Sequence, residues 1–328
     1  MQCGGMGEFP FVSVASRAYR DVVCNVERVI AGNGAAVRAA VLCLLSEGNL
    51  LLEGVPGVGK TMLARAIARS IGGTFSRIQA TPDLLPSDLT GISVYDQERR
   101  QFTFVQGPIF ANVVLVDEIN RTTPRTQSAL LEPMEERQAT IEGVTHALPD
   151  PFFLVGTENP VEHHGTYPLP EGQLDRFTMA VRVGYPERDQ AHEVVTRQLL
   201  QHPINDLEPV LQPDEVVRIQ RAVRAVHVDS AVVDYALGLV EGTRAHADVT
   251  LGASPRSAVA LTRCSQALAT ANGRDFVLPD DLKALAPDVL GHRLLVAPQR
   301  RGGNETGREI VEELLQQLPV PLGVAGRP

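Results

Sequence analysis

The chain has 328 residues, is 44% hydrophobic and 21% charged, and carries a formal net charge of −9 with a pI near 5.4. That length leaves room for two domains, each with its own core, and the composition is ordinary for globular protein. The acidic balance speaks against general phosphate-backbone binding, and 5% aromatic residues with no Trp leave no evident stacking platform for single strands.

In chain order, residues 1–15 are glycine-rich and irregular, and are expected to be disordered. A helix is expected from Ser16 to Val29, then a turn over Ile30–Gly34. A second helix follows, with Val37, Val41 and Leu44 on one face. Leu50, Leu51 and Leu52 are a short apolar run that reads as a buried strand. Gly54-Val-Pro-Gly-Val-Gly-Lys-Thr61 then fits the pattern G-x-x-x-x-G-K-[ST], and Met62 to Ile71 continue as a helix.

The residue types in that loop have physical reasons. Gly57 and Gly59 let the backbone bend so that N–H groups face a phosphate, and the following helix aims its positive end at the same place. Lys60 can reach the β/γ-phosphates, and the Thr61 hydroxyl suits magnesium. Of the 30 basic residues only Lys60 and Lys283 are lysines, so a lysine where a compact point charge is needed is informative. Gly54, Pro56, Gly57, Val58, Gly59, Lys60, Thr61 and Met62 are therefore the expected residues of an ATP or GTP site.

Phe75 to Ala80 reads as the next strand. Asp83–Gly91 is a loop with a short helix at most. Ile92–Tyr95 and Phe102–Val105 alternate around a charged tip and predict a hairpin, with Arg99 and Arg100 read as solvated tip charges. Val113–Glu118 is a second apolar strand that ends in two acids, as expected of a central parallel strand. Thr123-Pro124 opens a helix that runs to about Glu136, with a kink at Pro133. A second hairpin (Ala139–Ile141 and His146–Leu148), a strand at Phe152–Thr157 and another at Met179–Val183 complete this half. His163-His164 reads as part of a solvated loop rather than a metal site.

After Gly184-Tyr-Pro186 no convincing strand follows. Helices are expected at about 187–201, 213–226, 230–246, 255–271, 279–290 and 307–318. The fold class expected is α/β: a doubly wound, mostly parallel sheet over 1–186, followed by an all-α domain over 187–328. Cys3, Cys24, Cys43 and Cys264 lie far apart without a C-x-x-C pair, which suits small hydrophobes in a reducing compartment. No apolar run approaches bilayer length and no signal peptide is evident, so no membrane insertion is expected and the cytoplasm is the default location.

Beyond the loop, Asp117 is placed to hold magnesium, directly or through water, and Glu118 could deprotonate the attacking water. Asn159 ends the next strand and could fix that water or the γ-phosphate; a turn residue is the alternative. No N-K-x-D motif for reading guanine is present. Taken together, the phosphate loop, Val-Leu-Val-Asp-Glu-Ile-Asn-Arg121, Glu-Asn-Pro160 and Leu-Asp-Arg-Phe177 resemble the AAA+ ATPases. More narrowly, Leu-Leu-Pro-Ser-Asp-Leu-Thr-Gly91, Gly-Pro-Ile-Phe-Ala-Asn112 and Gly-Thr-Tyr-Pro-Leu-Pro-Glu-Gly-Gln-Leu-Asp-Arg-Phe177 resemble the MoxR family, and the likeness runs from about Val29 to Pro321.

The resemblance implies a P-loop core with an inserted hairpin at 92–106, a helical lid, and a ring, usually hexameric, with ATP and Mg2+ between subunits. It implies that Lys60 and Thr61 bind phosphate and magnesium, and that Asp117 and Glu118 are the acidic pair. Asn159 would be the sensor asparagine, Arg176 the finger that reaches a neighbour's γ-phosphate and Arg256 the lid sensor. Val29 and Ile30 fall where the adenine pocket begins. Three departures from the family pattern stand out: Asn33-Gly34 in place of Gln-Glu, Glu158 where Gln is common, and Pro133. The function implied is ATP-driven remodelling of protein clients, with von Willebrand factor A-type domains among the partners of relatives. The rivals are a chelatase-type motor subunit for metal insertion, a nucleic-acid-dependent motor and a non-hydrolysing switch.

Overall fold

The computed structural model describes residues 10–98, 100–159, 166–200, 203–297 and 304–321. Helices α1 (Pro10–Glu27) and α2 (Gly34–Leu45) precede strand β1 (Leu50–Glu53), and α3 (Lys60–Ser70) leads to β2 (Phe75–Gln79). Next come α4 (Pro86–Thr90), the hairpin β3 (Gly91–Asp96) and β4 (Gln101–Gln106), and β5 (Val113–Asp117). After α5 (Pro124–Ser128) and α6 (Leu131–Glu136) lies a second hairpin, β6 (Gln138–Ile141) and β7 (Val144–Ala147). β8 (Phe153–Glu158), α7 (Glu171–Leu174) and β9 (Met179–Arg182) follow. The remainder is α8 (Arg188–Leu200), α9 (Pro213–Arg224), α10 (Ser230–Ala245), β10 (Val249–Leu251), α11 (Pro255–Ala271), α12 (Pro279–Leu290), β11 (Leu295–Val296) and α13 (Asn304–Gln317).

The chain forms two compact units, residues 22–217, and residues 218–328 with the first 21. The first unit holds the sheet, ordered β2-β5-β8-β1-β9 with every pairing parallel. Its central strands are apolar because both of their faces are covered. Leu50, Leu51 and Leu52 are fully buried, as are Val113, Val114 and Leu115, and each such side chain contributes about 1.5–3 kcal/mol of burial. From β1 the chain passes to β2 at one edge and finally returns to β9 on the other side of β1, so the order reverses at β1. Sheets of this kind bind ligands at the carboxyl ends of the strands beside such a reversal. The register brings polar strand ends together there: Glu53 pairs with Glu158, and Gln79 with Asp117.

The second unit is mainly helical. The Ser16 hydroxyl of α1 donates to the Ala271 carbonyl at 2.9 Å. Glycines 238 and 242 of α10 leave room for the α13 side chain Leu314 and for Leu318. A Cβ at Gly242 would lie 3.2 Å from Leu314.

Several expectations change. The first helix begins at Pro10, six residues earlier than expected, because proline with its fixed φ is a good first helical residue; residues 1–9 lie outside the described residues. The helix expected over 123–136 is two helices, broken at Ala129 and Leu130 rather than kinked at Pro133. Pro133 has no N–H for the Ala129 carbonyl, and its ring crowds that carbonyl, so the break falls one turn upstream. Thr123 caps α5 as expected, accepting the Thr126 N–H. Past residue 186 a small antiparallel ribbon, β10 with β11, forms where no strand was convincing. Its strands are too short to show a two-residue period. Strand β9 ends shortly before the boundary expected at 186, and α8 lies in the same compact unit as the sheet. His163-His164 and Arg99 lie outside the described residues.

Candidate nucleotide site

At the carboxyl ends of β1, β5 and β8 lies a cavity of about 350 Å³. Pro56, Gly57, Gly59, Lys60, Thr61 and Met62 form one wall, Asp117, Glu118 and Asn159 another, and Arg77 and Gln79 a third. Gly57 (φ 84°) and Gly59 (φ 93°) are in the left-handed region that side chains disfavour, and Gly59 directly precedes α3. Gly54 is glycine for another reason: a Cβ there would collide with the Val183 backbone oxygen. Gly54 thus packs against the chain at Val183, and the Val58 side chain is buried. Lys60 is mostly buried, and its ammonium donates to the carbonyls of Gly54 and, at 3.3 Å, Glu158. Those are contacts that a phosphate could replace.

Asp117 accepts hydrogen bonds from three side chains. Its Oδ1 accepts the buried Thr157 hydroxyl at 2.7 Å. Its Oδ2 accepts the Thr61 hydroxyl at 3.3 Å and two donors of Arg77, Nε at 3.1 Å and Nη2 at 2.7 Å. Thr157 also accepts the Glu118 N–H at 2.8 Å, so one buried hydroxyl organises both acids. Glu118 has φ 57° and ψ 49°, a conformation that costs a non-glycine residue energy and turns the side chain at the strand end. Its Oε2 accepts Gln79 Nε2 at 3.3 Å and pairs with Arg121 Nε at 3.0 Å. Thr61 and Asp117 thus present two hard oxygen donors close together, the kind that could share a divalent cation.

Glu158 sits below the loop next to Glu53. Burial, reinforced by the Glu53 carboxylate and opposed by Lys60, pushes its pKa up to about 7. Asn120 Nδ2 approaches its Oε1 at 3.5 Å.

Comparison with known proteins gives the family. Residues 49–179 match the ATPase family associated with various cellular activities (AAA), and residues 241–314 match the AAA lid domain. The chain is 47% identical to YeaC of Bacillus subtilis over 298 residues, which is 91% of this chain and 93% of YeaC. Over 308 residues it is 40% identical to Chaperone MoxR1 of Mycobacterium tuberculosis, 91% of this chain and 81% of MoxR1. The chain belongs to the MoxR family of AAA ATPases. A crystal structure from Cytophaga hutchinsonii agrees, with a TM-score of 0.86 at 35% identity over 95% of this chain and 97% of that one. The expected fold class and ATPase family are both met, and an AAA ATPase binds ATP.

The remaining expected residues of this MoxR-family ATPase are dispersed. Ile30 is buried near the loop, its Cδ1 3.9 Å from where a Cβ on Gly59 would be, and Val29 is half-buried beside it. A separate cavity of about 300 Å³ is lined by Glu27, Ile30, Ala31, Gly32, Gly34 and Gln190. Asn33, one of the departures, donates from Nδ2 to the Gly184 carbonyl at 3.3 Å. Arg176, which the resemblance makes a finger toward a neighbour's γ-phosphate, does not line the cavity of Lys60 and Asp117. Instead its Nε and Nη2 reach Glu135 at 3.0 and 2.9 Å, and its Nη1 donates to the Gly172 carbonyl. Phe177 beside it is fully buried over Gly156, which has no Cβ to obstruct the ring. Arg256 is exposed in the first turn of α11, in the helical unit. Arg77 and Gln79 are the residues that sequence reasoning missed.

Proposed function

We propose that this MoxR-family protein is a magnesium-dependent ATP hydrolase that works as a ring, hexameric in the usual case, and remodels protein clients. The observation that carries this reading is the convergence of Lys60, Thr61, Asp117, Glu118 and Asn159 on one cavity at the strand ends. Lys60 would exchange its carbonyl partners for β/γ-phosphate oxygens. Thr61 and Asp117 would hold Mg2+, with phosphate oxygens and water as its other ligands. When bound, the ion neutralises the charge that develops on the phosphoryl oxygens. Glu118 would take the proton of the attacking water, and Asn159 would orient that water or the γ-phosphate.

In the same reading Val29 and Ile30 border the adenine, Arg176 acts as a finger toward a neighbouring subunit, and Arg256 senses nucleotide from a lid over residues 187–328. Protein clients are favoured over nucleic acid by the net charge of −9 and by a 40% identical relative named as a chaperone. Partners with von Willebrand factor A-type domains are the client class the family suggests. Cys24, Cys43 and Cys264 carry thiols rather than disulfides, which suits the cytoplasm. Among the described residues no helix is long and apolar enough to cross a membrane.

Glu118→Gln tests the reading, because it keeps shape and removes the base. ATP hydrolysis should fall by about 10²–10⁴ while nucleotide affinity stays near that of the parent. Equal loss of binding and turnover would mean that Glu118 holds the metal instead.

A further inference from the structure

We propose that Arg77 is a positioning residue that competes with a divalent cation for Asp117 and must give up that contact before a metal–nucleotide complex can be seated. The inference rests on the magnesium reading above. Arg77 lies on β2, the edge strand of the sheet, next to β5. Both donors that it turns to Asp117 fall on Oδ2, the same oxygen that accepts the Thr61 hydroxyl. Thr61 and Asp117 are the residues that would hold the cation, and Arg77 lies on the side of the carboxylate that faces Thr61. With the Thr157 hydroxyl on Oδ1, both oxygens of Asp117 are already engaged within the protein.

A divalent cation held by Thr61 and Asp117 would have to compete with a guanidinium that lies 2.7 Å from Oδ2. Like charges at that range repel, so the two cations compete for Asp117. Their means of leaving differ. Thr157 is fully buried and stays on Oδ1. The Arg77 side chain is 49% exposed, so solvent can take the guanidinium once it moves. Arg77 also donates to Gln79 at 3.0 Å, and Gln79 donates to Glu118, so its departure loosens the hold of β2 on both acids. While it holds Asp117, Arg77 spares that carboxylate the cost of an uncompensated charge.

The test uses a fluorescent, non-hydrolysable ATP analogue, with affinity measured in EDTA and in Mg2+; the ratio of the two is the metal's contribution. Arg77→Ala should raise the metal contribution about tenfold. Arg77→Lys should fall between, since it keeps a charge but not the fork. Melting curves for each variant check folding. A metal contribution unchanged or lowered in Arg77→Ala overturns the proposal, since Arg77 would then be a surface ion pair or a helper of the metal. Asp117→Asn separates the two levels of argument. If it abolishes the metal contribution while Arg77→Ala leaves it untouched, only the role of Arg77 falls. If neither variant changes it, the metal assignment falls as well.

Discussion

Two aspartates, one in each compact unit, are held by an arginine, and they are held differently. In the helical unit Asp281 takes Arg274 Nη2 on Oδ1 at 2.6 Å and Nη1 on Oδ2 at 2.8 Å, while its Oδ2 also accepts the Leu278 N–H at 2.8 Å. The fork meets both oxygens, the backbone of the helix start is satisfied, and the Arg274 side chain is only 22% exposed. That pair is closed, and it fixes the entry to α12. In the α/β unit Arg77 crowds a single oxygen of Asp117 from a half-exposed position at a cavity. The same two residue types build a joint in one place and an exchangeable contact in the other. What separates them is the number of oxygens engaged and the water available to the cation.

A third pair, Arg176 with Glu135, asks to which class it belongs, and here the largest effect is expected. If it opens as the Arg77 pair does, Arg176 can be lent to a neighbouring subunit, and such fingers are worth roughly 10³–10⁵ in rate. Arg176→Ala should then bind ATP normally and hydrolyse it poorly. Mixing it with Lys60→Ala should restore some activity, because intact Lys60 sites can borrow Arg176. No recovery, with subunit exchange shown independently, would place Arg176 with the closed pairs, in which case its loss would cost folding stability instead.

The same substitution at the two aspartates sharpens the contrast. Asp281→Asn should destabilise the protein by about 3 kcal/mol in denaturant unfolding, because Arg274 loses its countercharge in a largely buried setting. Asp117→Asn should change stability by about 1 kcal/mol or less, since Arg77 can turn to water and Oδ1 still accepts from Thr157. Its penalty should appear as a loss of turnover of about 10² or more. Similar unfolding curves for the two variants would erase the distinction.

The smallest effect concerns a carboxylate set beside another carboxylate. Glu158 has its pKa raised to about 7 by burial and by Glu53. Between the ordinary glutamate value and 7 the folded chain holds a proton that the unfolded chain has released, so this group lowers stability as pH rises through that window. Glu158→Gln removes the penalty. Its advantage over the parent should grow from pH 5 to about 7.5 and then level off, at on the order of 2 kcal/mol, as followed by unfolding at each pH. A constant difference across that range would show that burial and Glu53 do not together raise Glu158 in this way.

Much of the core was legible because its signals are local. Leu50–Leu52 and Val113–Val116 are runs that only a sheet covered on both faces can use, and the loop from Gly54 to Thr61 announces both its bend and its ligand type. Arg77 and Gln79 were not legible, because a charge alternating along a strand looks like any solvated face. Only the pairing of β2 with β5 shows what they touch. Arg176 and Glu135 are separated by 41 residues, and nothing in either neighbourhood names the other. The break at Ala129 and Leu130 was half visible: Pro133 signalled an interruption, but the carbonyl it crowds lies a turn away. The ribbon of β10 and β11 left no trace, since strands of three and two residues are too short to show a period.

The two kinds of glycine in the phosphate loop bear on how the loop tolerates change. Around Gly57 there is open space, and only its backbone angle resists a side chain. Asparagine, which visits left-handed angles more readily than other residues, is therefore the replacement the folded chain can best absorb there. At Gly54 no choice of angle helps, because the obstacle is the backbone of the neighbouring strand. A survey of all substitutions should therefore find position 54 intolerant of every residue alike and position 57 graded by residue type. Two glycines of one motif would carry different histories: one bound to its neighbour strand, the other to the torsion of its own chain.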